Sequence, residues 1–216
     1  MKKGFIFLLP IMSITFLLWI EQGLTVPYVV KTMAKAVLFL GIPLVLFHKK
    51  GFGFLHFGRT DRKNLMISIV AGITVMSTIV ITFFGLHPFI DIDFLLAELE
   101  SIGVTSTVFP FVALYILVGN SLLEEFFFRG LLPSSINHSL CRLLIPSFLF
   151  ASYHVSIFLT WFTLPILALA VAGLWIGGII FQLANVQSET IFPSWTIHMF
   201  ADLGVLIVGV YIFYIY

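Results

Sequence analysis

The stretch Phe109-Pro-Phe-Val-Ala-Leu-Tyr-Ile-Leu-Val-Gly-Asn-Ser-Leu-Leu-Glu-Glu-Phe-Phe-Phe-Arg-Gly-Leu-Leu-Pro133 decides the fold. It is mostly apolar over about the 20 residues that a bilayer-crossing helix needs. Its apolar residues do not alternate with polar ones, which argues against a strand of a membrane barrel. Inside this run sit two adjacent acids, Glu124 and Glu125. An acid there is costly in lipid and persists only with a partner or a task.

The rest of the chain supports a membrane reading. It has 216 residues, of which 60% are hydrophobic and 10% charged. A typical soluble domain is about 25% charged and under half apolar. No water-soluble core could hide that much apolar surface, so a bilayer must act as solvent. The formal net charge of +1 gives no reason to expect a nucleic acid partner. The single cysteine, Cys141, rules out an internal disulfide and a cysteine-based metal cluster.

Seven candidate spans follow, at about 4–20, 27–47, 64–86, 108–128, 143–159, 164–183 and 194–214. The expected fold is all-α: a polytopic helical bundle forming one integral membrane domain over 1–216. Pro110, Pro146, Pro165 and Pro193 fall near predicted helix starts, where a missing N–H costs nothing. Pro10 and Pro43 fall inside spans and should kink them. Lys2 and Lys3 before the first apolar run resemble a signal peptide, but no small-residue cleavage site precedes Glu21, so an uncleaved span is expected.

Basic residues in short loops set orientation. Lys2 and Lys3 precede the first span; Lys49, Lys50, Arg59, Arg62 and Lys63 separate the second from the third. Arg129, His138 and Arg142 are read as lying between the fourth and fifth. All three groups share one side of a seven-span chain, so the amino terminus is expected in the cytoplasm and the carboxy terminus outside. The loop carrying Asp91, Asp93, Glu98 and Glu100 then lies outside. Lys31 and Lys35 sit in the outer part of the second span. They could snorkel to headgroups or face an interior cavity, and no functional role is expected of them.

Glu125 and Arg129 are four residues apart with the acid first, the favourable order for an ion pair on one helix face. Glu124 points about 100° away and has no opposite charge nearby in sequence. Asn120, one turn earlier, offers it only a neutral hydrogen bond. His154 lies mid-run in the fifth span, and His198 and Asp202 share a face of the seventh. One such residue could be helix–helix glue. Ionisable groups in three spans are better explained by a shared polar site. A carboxylate beside an imidazole can hold and deprotonate water, and a second imidazole can donate to an oxyanion. The His-Glu-x-x-His zinc helix is absent, although spacing alone does not exclude a metal on two histidines and two carboxylates.

Three patterns occur in order: Glu124-Glu125-x-x-x-Arg129, Phe150-x-x-x-His154 and His198-x-x-x-Asp202. Together they resemble the signature of the CAAX-protease and bacteriocin-processing family of intramembrane endopeptidases, the Abi family in older bacterial usage. Phe128-Arg129-Gly130 and the helix bearing Gly173 and Gly178 are also similar. The resemblance covers about 108–205. It implies a bundle with a conical cavity open to the cytoplasm and partly to lipid. Glu124 would activate the attacking water, His154 would orient it, and His198 with the residue at 202 would stabilise the oxyanion. Glu125 and Arg129 would hold the geometry. It implies a glutamate-type protease with no cofactor and no metal, although family members are often labelled metalloproteases.

One departure concerns the third motif, which often ends in asparagine. Asp202 stands there, and an ionised aspartate cannot donate to an oxyanion. Asp202 is therefore expected either to be protonated or to orient His198. The implied substrates are membrane-embedded or membrane-proximal peptides, or prenylated tails, with the lipid bilayer as the other partner. The alternative is a non-catalytic membrane scaffold or a bacteriocin self-immunity protein. A proton-coupled transporter is a weaker reading, because the chain shows no paired halves.

Overall fold

The computed structural model describes residues 3–24 and 26–216. It is helical, with no strand among the described residues. The first long helices are α1 (Lys3–Gly23), α2 (Tyr28–Phe47) and α3 (Arg62–Leu86). A short helix, α4 (Ile92–Ser101), follows. Then come α5 (109–131), α6 (Ser139–Phe158), α7 (Leu164–Ala184) and α8 (Phe192–Tyr214). Six of these are long and apolar enough to cross a membrane, and α1 adds a shorter apolar stretch, Leu8–Gly23. The seven expected spans are thus the seven long helices of a multi-pass membrane protein. Side chains such as Val45, Ile81, Phe111 and Leu164 remain exposed on the outside of the bundle, where lipid is their solvent.

The local signals explain most helix ends. Asp61 caps α3 by accepting from Asn64 N–H at 2.7 Å, and Asp91 caps α4 by accepting from Phe94 N–H at 2.9 Å. Pro110, Pro165 and Pro193 occupy first-turn positions of α5, α7 and α8. Pro146 does not mark a start. The helix begins a full turn or more earlier, at Ser139, so the proline is buried inside α6. Pro43 follows a π-helical turn, Val37–Gly41, which loosens α2 where the proline ring would otherwise crowd the preceding turn.

Two basic residues counted towards orientation change status. Lys2 lies outside the described residues. Arg129 is not a loop residue: it is buried in the last turns of α5. The acidic connection after α3 is not merely a loop either. Ile92 and Leu95 of α4 are buried against Ile212 of α8, giving that end of the bundle its own small apolar cluster.

Helix α8 packs along α3, α6 lies against α7 and α1, and α5 runs through the middle. The core beside α5 is aromatic: Phe39 stacks on Phe127 at 4.4 Å and meets Tyr153 edge-on at 5.4 Å. The α3–α8 seam depends on a small residue. A Cβ on Gly204 would lie 3.0 Å from the Met76 carbonyl oxygen and 3.3 Å from Ile79 Cβ. Backbone cannot give way there, and close helix approach in lipid relies on such small residues. Gly204→Leu is expected to lower the melting temperature in detergent, at a cost of about 1–3 kcal/mol. Gly173→Leu, at a position where an added Cβ meets nothing within 4 Å, serves as control and should leave it unchanged.

Candidate active site

Helix α5 is not a uniform α-helix. Its residues Ser121–Glu125 are α-helical, but π-helical turns flank them at Tyr115–Asn120 and Phe126–Leu131. Such turns favour functional sites because they re-aim side chains within a continuous helix. Here both adjacent acids end up inside: Glu124 is 1% exposed and Glu125 fully buried. Trp195 of α8 fixes this segment from the side, donating its indole N–H to Ser121 Oγ at 3.0 Å.

Glu125 forms the supporting half of the cluster. Its Oε1 accepts from His198 Nδ1 at 2.9 Å and lies 3.5 Å from Arg129 Nη1. The guanidinium carbon sits 3.9 Å above the Phe150 ring and 5.1 Å from that of Phe181. A flat, weakly hydrated cation suits this stacking position. Gly178 makes room for it, since a Cβ there would lie 3.2 Å from Arg129 Nη2. The expected i,i+4 pair is therefore present. Its main further contact, the bond to His198, joins residues 73 apart and could not be read from spacing.

Glu124 forms the other half. Its Oε1 accepts from the Lys35 ammonium of α2 and from Asn120 Nδ2, the latter at 3.1 Å. Lys35 also donates to Asn120 Oδ1. Oε2 is buried and accepts no hydrogen bond among the described residues. It faces two imidazoles, with His198 Nε2 at 3.6 Å and His154 Nε2 at 3.9 Å. Both gaps are too long for a direct bond, and a water could bridge either one. His154 is oriented by its other nitrogen, which donates to the Phe150 carbonyl at 2.8 Å.

Asp202 Oδ1 lies 3.7 Å from His198 Nε2, on the same side of the ring as Glu124. Nδ1, where an orienting acid would bind, is taken by Glu125. The side chains of His154 and Asp202 are each 13% exposed, so the cluster reaches the molecular surface on their side.

All six residues singled out in the sequence thus meet in one cluster: Glu124, Glu125, Arg129, His154, His198 and Asp202. The sequence reading assigns Lys35 no place in the site, although it allows the side chain to face an interior cavity. Lys31 pairs with Glu21, whereas Lys35 pairs with Glu124 inside the cluster. The available signal was a lysine within a span, which by itself names no partner.

Among the described residues, no three side chains of metal-binding type form a ligand set, and the cation facing Glu124 is the Lys35 ammonium. Two cavities, of about 280 Å³ between α4 and the α6–α7 turn and about 490 Å³ beside Phe54 and Arg59, lie away from the cluster.

Fold and cluster together define a polytopic helical membrane protein with acids and imidazoles brought together inside its bundle. Residues 106–204 match the family model described as Type II CAAX prenyl endopeptidase Rce1-like. Over that region, which holds all three motifs, the chain is similar to the CAAX protease family that those motifs resemble. That similarity makes a membrane-embedded protease the class to which the cluster's chemistry is referred. No curated protein and no solved structure gives a significant match to the chain.

Proposed function

We propose that this protein is an intramembrane endopeptidase that hydrolyses peptide bonds in membrane-embedded or membrane-proximal substrates with a water activated by Glu124. One observation carries the reading: the hydrogen-bond-free oxygen of Glu124 faces Nε2 of both His154 and His198.

The chemistry follows from which atoms can donate. With His154 Nδ1–H given to the Phe150 carbonyl, its Nε2 is a lone-pair acceptor. A water between that nitrogen and Glu124 Oε2 gives one hydrogen to each. Its own lone pairs are then left for the scissile carbonyl carbon. Glu124 takes the water proton as the C–O bond forms. His198, held at Nδ1 by Glu125, presents Nε2–H as donor to the developing oxyanion. Asp202, excluded from Nδ1, acts on the same reacting side and donates there in its carboxylic acid form. Glu124 then passes its proton to the departing amine as the C–N bond breaks. The products are a carboxylic acid and an amine, which leave as carboxylate and ammonium after the acid's proton passes to the amine, and no step forms a covalent bond to the protein.

The remaining basic groups, Lys49, Lys50, Arg59, Arg62 and Lys63 with His138 and Arg142, support an amino terminus in the cytoplasm and a carboxy terminus outside. Bacterial roles of the wider family, such as peptide maturation or bacteriocin self-immunity, are compatible with this chemistry.

The test uses purified protein in proteoliposomes with two probes, a farnesylated peptide ending in a CAAX sequence and an unprenylated membrane-spanning peptide. Cleavage of at least one is expected. The product carboxylate should carry oxygen from labelled water, and added hydroxylamine should trap no acyl-protein. Failure of folded protein to cleave either probe overturns the reading, as does a hydroxamate product.

A further inference from the structure

Lys35 lies outside the matched region 106–204, and none of the three motifs includes it. We propose that Lys35 is a positioning residue for the peptide hydrolysis proposed above. It ties down one oxygen of Glu124 so that only the other faces the two imidazoles. This rests on the assignment of Glu124 as the base.

The contacts are one-sided. The Lys35 ammonium and the Asn120 amide both converge on Oε1, while Oε2 receives neither. A carboxylate rotates about a broad terminal torsion, so two donors on one oxygen also fix the direction of its twin. The ammonium is itself held from several sides. Asn120 Oδ1 accepts from it, and the Tyr153 ring centroid lies 4.7 Å away, within cation–π range. Its backbone is equally constrained. One turn on, Phe39 is fully buried and stacks on Phe127, bolting α2 to the segment of α5 that carries the acids.

Lys31 provides the contrast on the same helix. It pairs with Glu21, outside the cluster, with the two side chains 12% and 18% exposed. The Lys35 and Glu124 side chains are 7% and 1% exposed. The two lysines thus differ in partner: Lys31 meets an acid outside the cluster, and Lys35 meets the one carboxylate that faces both imidazoles.

The experiment compares wild type, Lys35→Met, Lys35→Arg, Glu124→Gln and the Lys35→Met/Glu124→Gln pair, each checked for membrane abundance and monodispersity. With whichever of the two peptide probes wild type cleaves, Lys35→Met is expected to lower kcat by about 10²-fold, the scale of a misplaced catalytic group. KM should stay near the wild-type value, and Lys35→Arg should restore part of kcat. The double variant should be no slower than Glu124→Gln alone, because both changes remove one function.

A second arm does not depend on turnover. Dicyclohexylcarbodiimide adds to protonated carboxyls in apolar surroundings, and mass spectrometry locates the adduct. Glu124 should be protected in wild type and Lys35→Arg, and labelled in Lys35→Met. Wild-type kcat in Lys35→Met, or equal labelling of Glu124 in all three, overturns the proposal. If wild type cleaves neither probe but the labelling pattern holds, the protease reading fails and the placement of Glu124 by Lys35 stands.

Discussion

Glu124→Gln removes peptide cleavage, with an expected fall in kcat of about 10²–10⁴-fold, the range that general base catalysis contributes. The substitution keeps the side chain's length and shape, and its amide can still occupy the space between Lys35 and the imidazoles. It cannot take a proton from water. The loss should fall on kcat and not on KM, because Glu124 is buried and the surface-reaching members of the cluster are His154 and Asp202. The measurement is initial rate against substrate concentration in proteoliposomes, on protein matched for abundance. Cleavage by Glu124→Gln within a few-fold of wild type would remove Glu124 from the mechanism. A rise confined to KM would assign it to binding.

The largest effect on stability is expected at the neighbouring acid. Glu125→Ala leaves Arg129 with no anion in a place where its side chain is fully buried. Stranding one member of a buried pair costs about 3–5 kcal/mol. His198 loses its Nδ1 acceptor in the same step. The predicted readouts are reduced membrane abundance and a lower unfolding midpoint in detergent. Glu125→Leu combined with Arg129→Met should recover much of the stability, because apolar side chains of similar volume can replace a buried pair without penalty. Activity should stay low, since His198 is still unanchored. Recovery of stability without activity would separate the two duties of Glu125, and full activity in the pair would show that His198 needs no anchor.

The membrane spans were legible in the sequence because the bilayer imposes a length and composition that few other structures require. Contacts four residues apart were legible for a similar reason: helix geometry brings Glu125 to Arg129 and His198 to Asp202 whatever the tertiary fold. Contacts between helices were not. Glu124 meets Lys35 across 89 residues and Glu125 meets His198 across 73, and no periodicity encodes which helices are neighbours. That is why Lys35 had no assigned role and Asp202 was considered as an orienting acid for His198. The short helix α4 did leave a signal in its Asp91 cap and in Ile92, Leu95, Leu96 and Leu99, which fall on one helical face. The acidic character of the segment masked it.

The π-helical turns of α5 carry a consequence for how the site tolerates change. Each residue of a regular α-helix advances the side-chain direction by about 100°. A wider turn resets that phase without breaking the rod. With one reset before the acids and another after them, the short segment Ser121–Glu125 acts as an angular clutch between two differently phased halves. The outer half can keep Phe111 turned to lipid while the inner half buries Phe126, Phe127 and Phe128. Neither half has to dictate where the two carboxylates point.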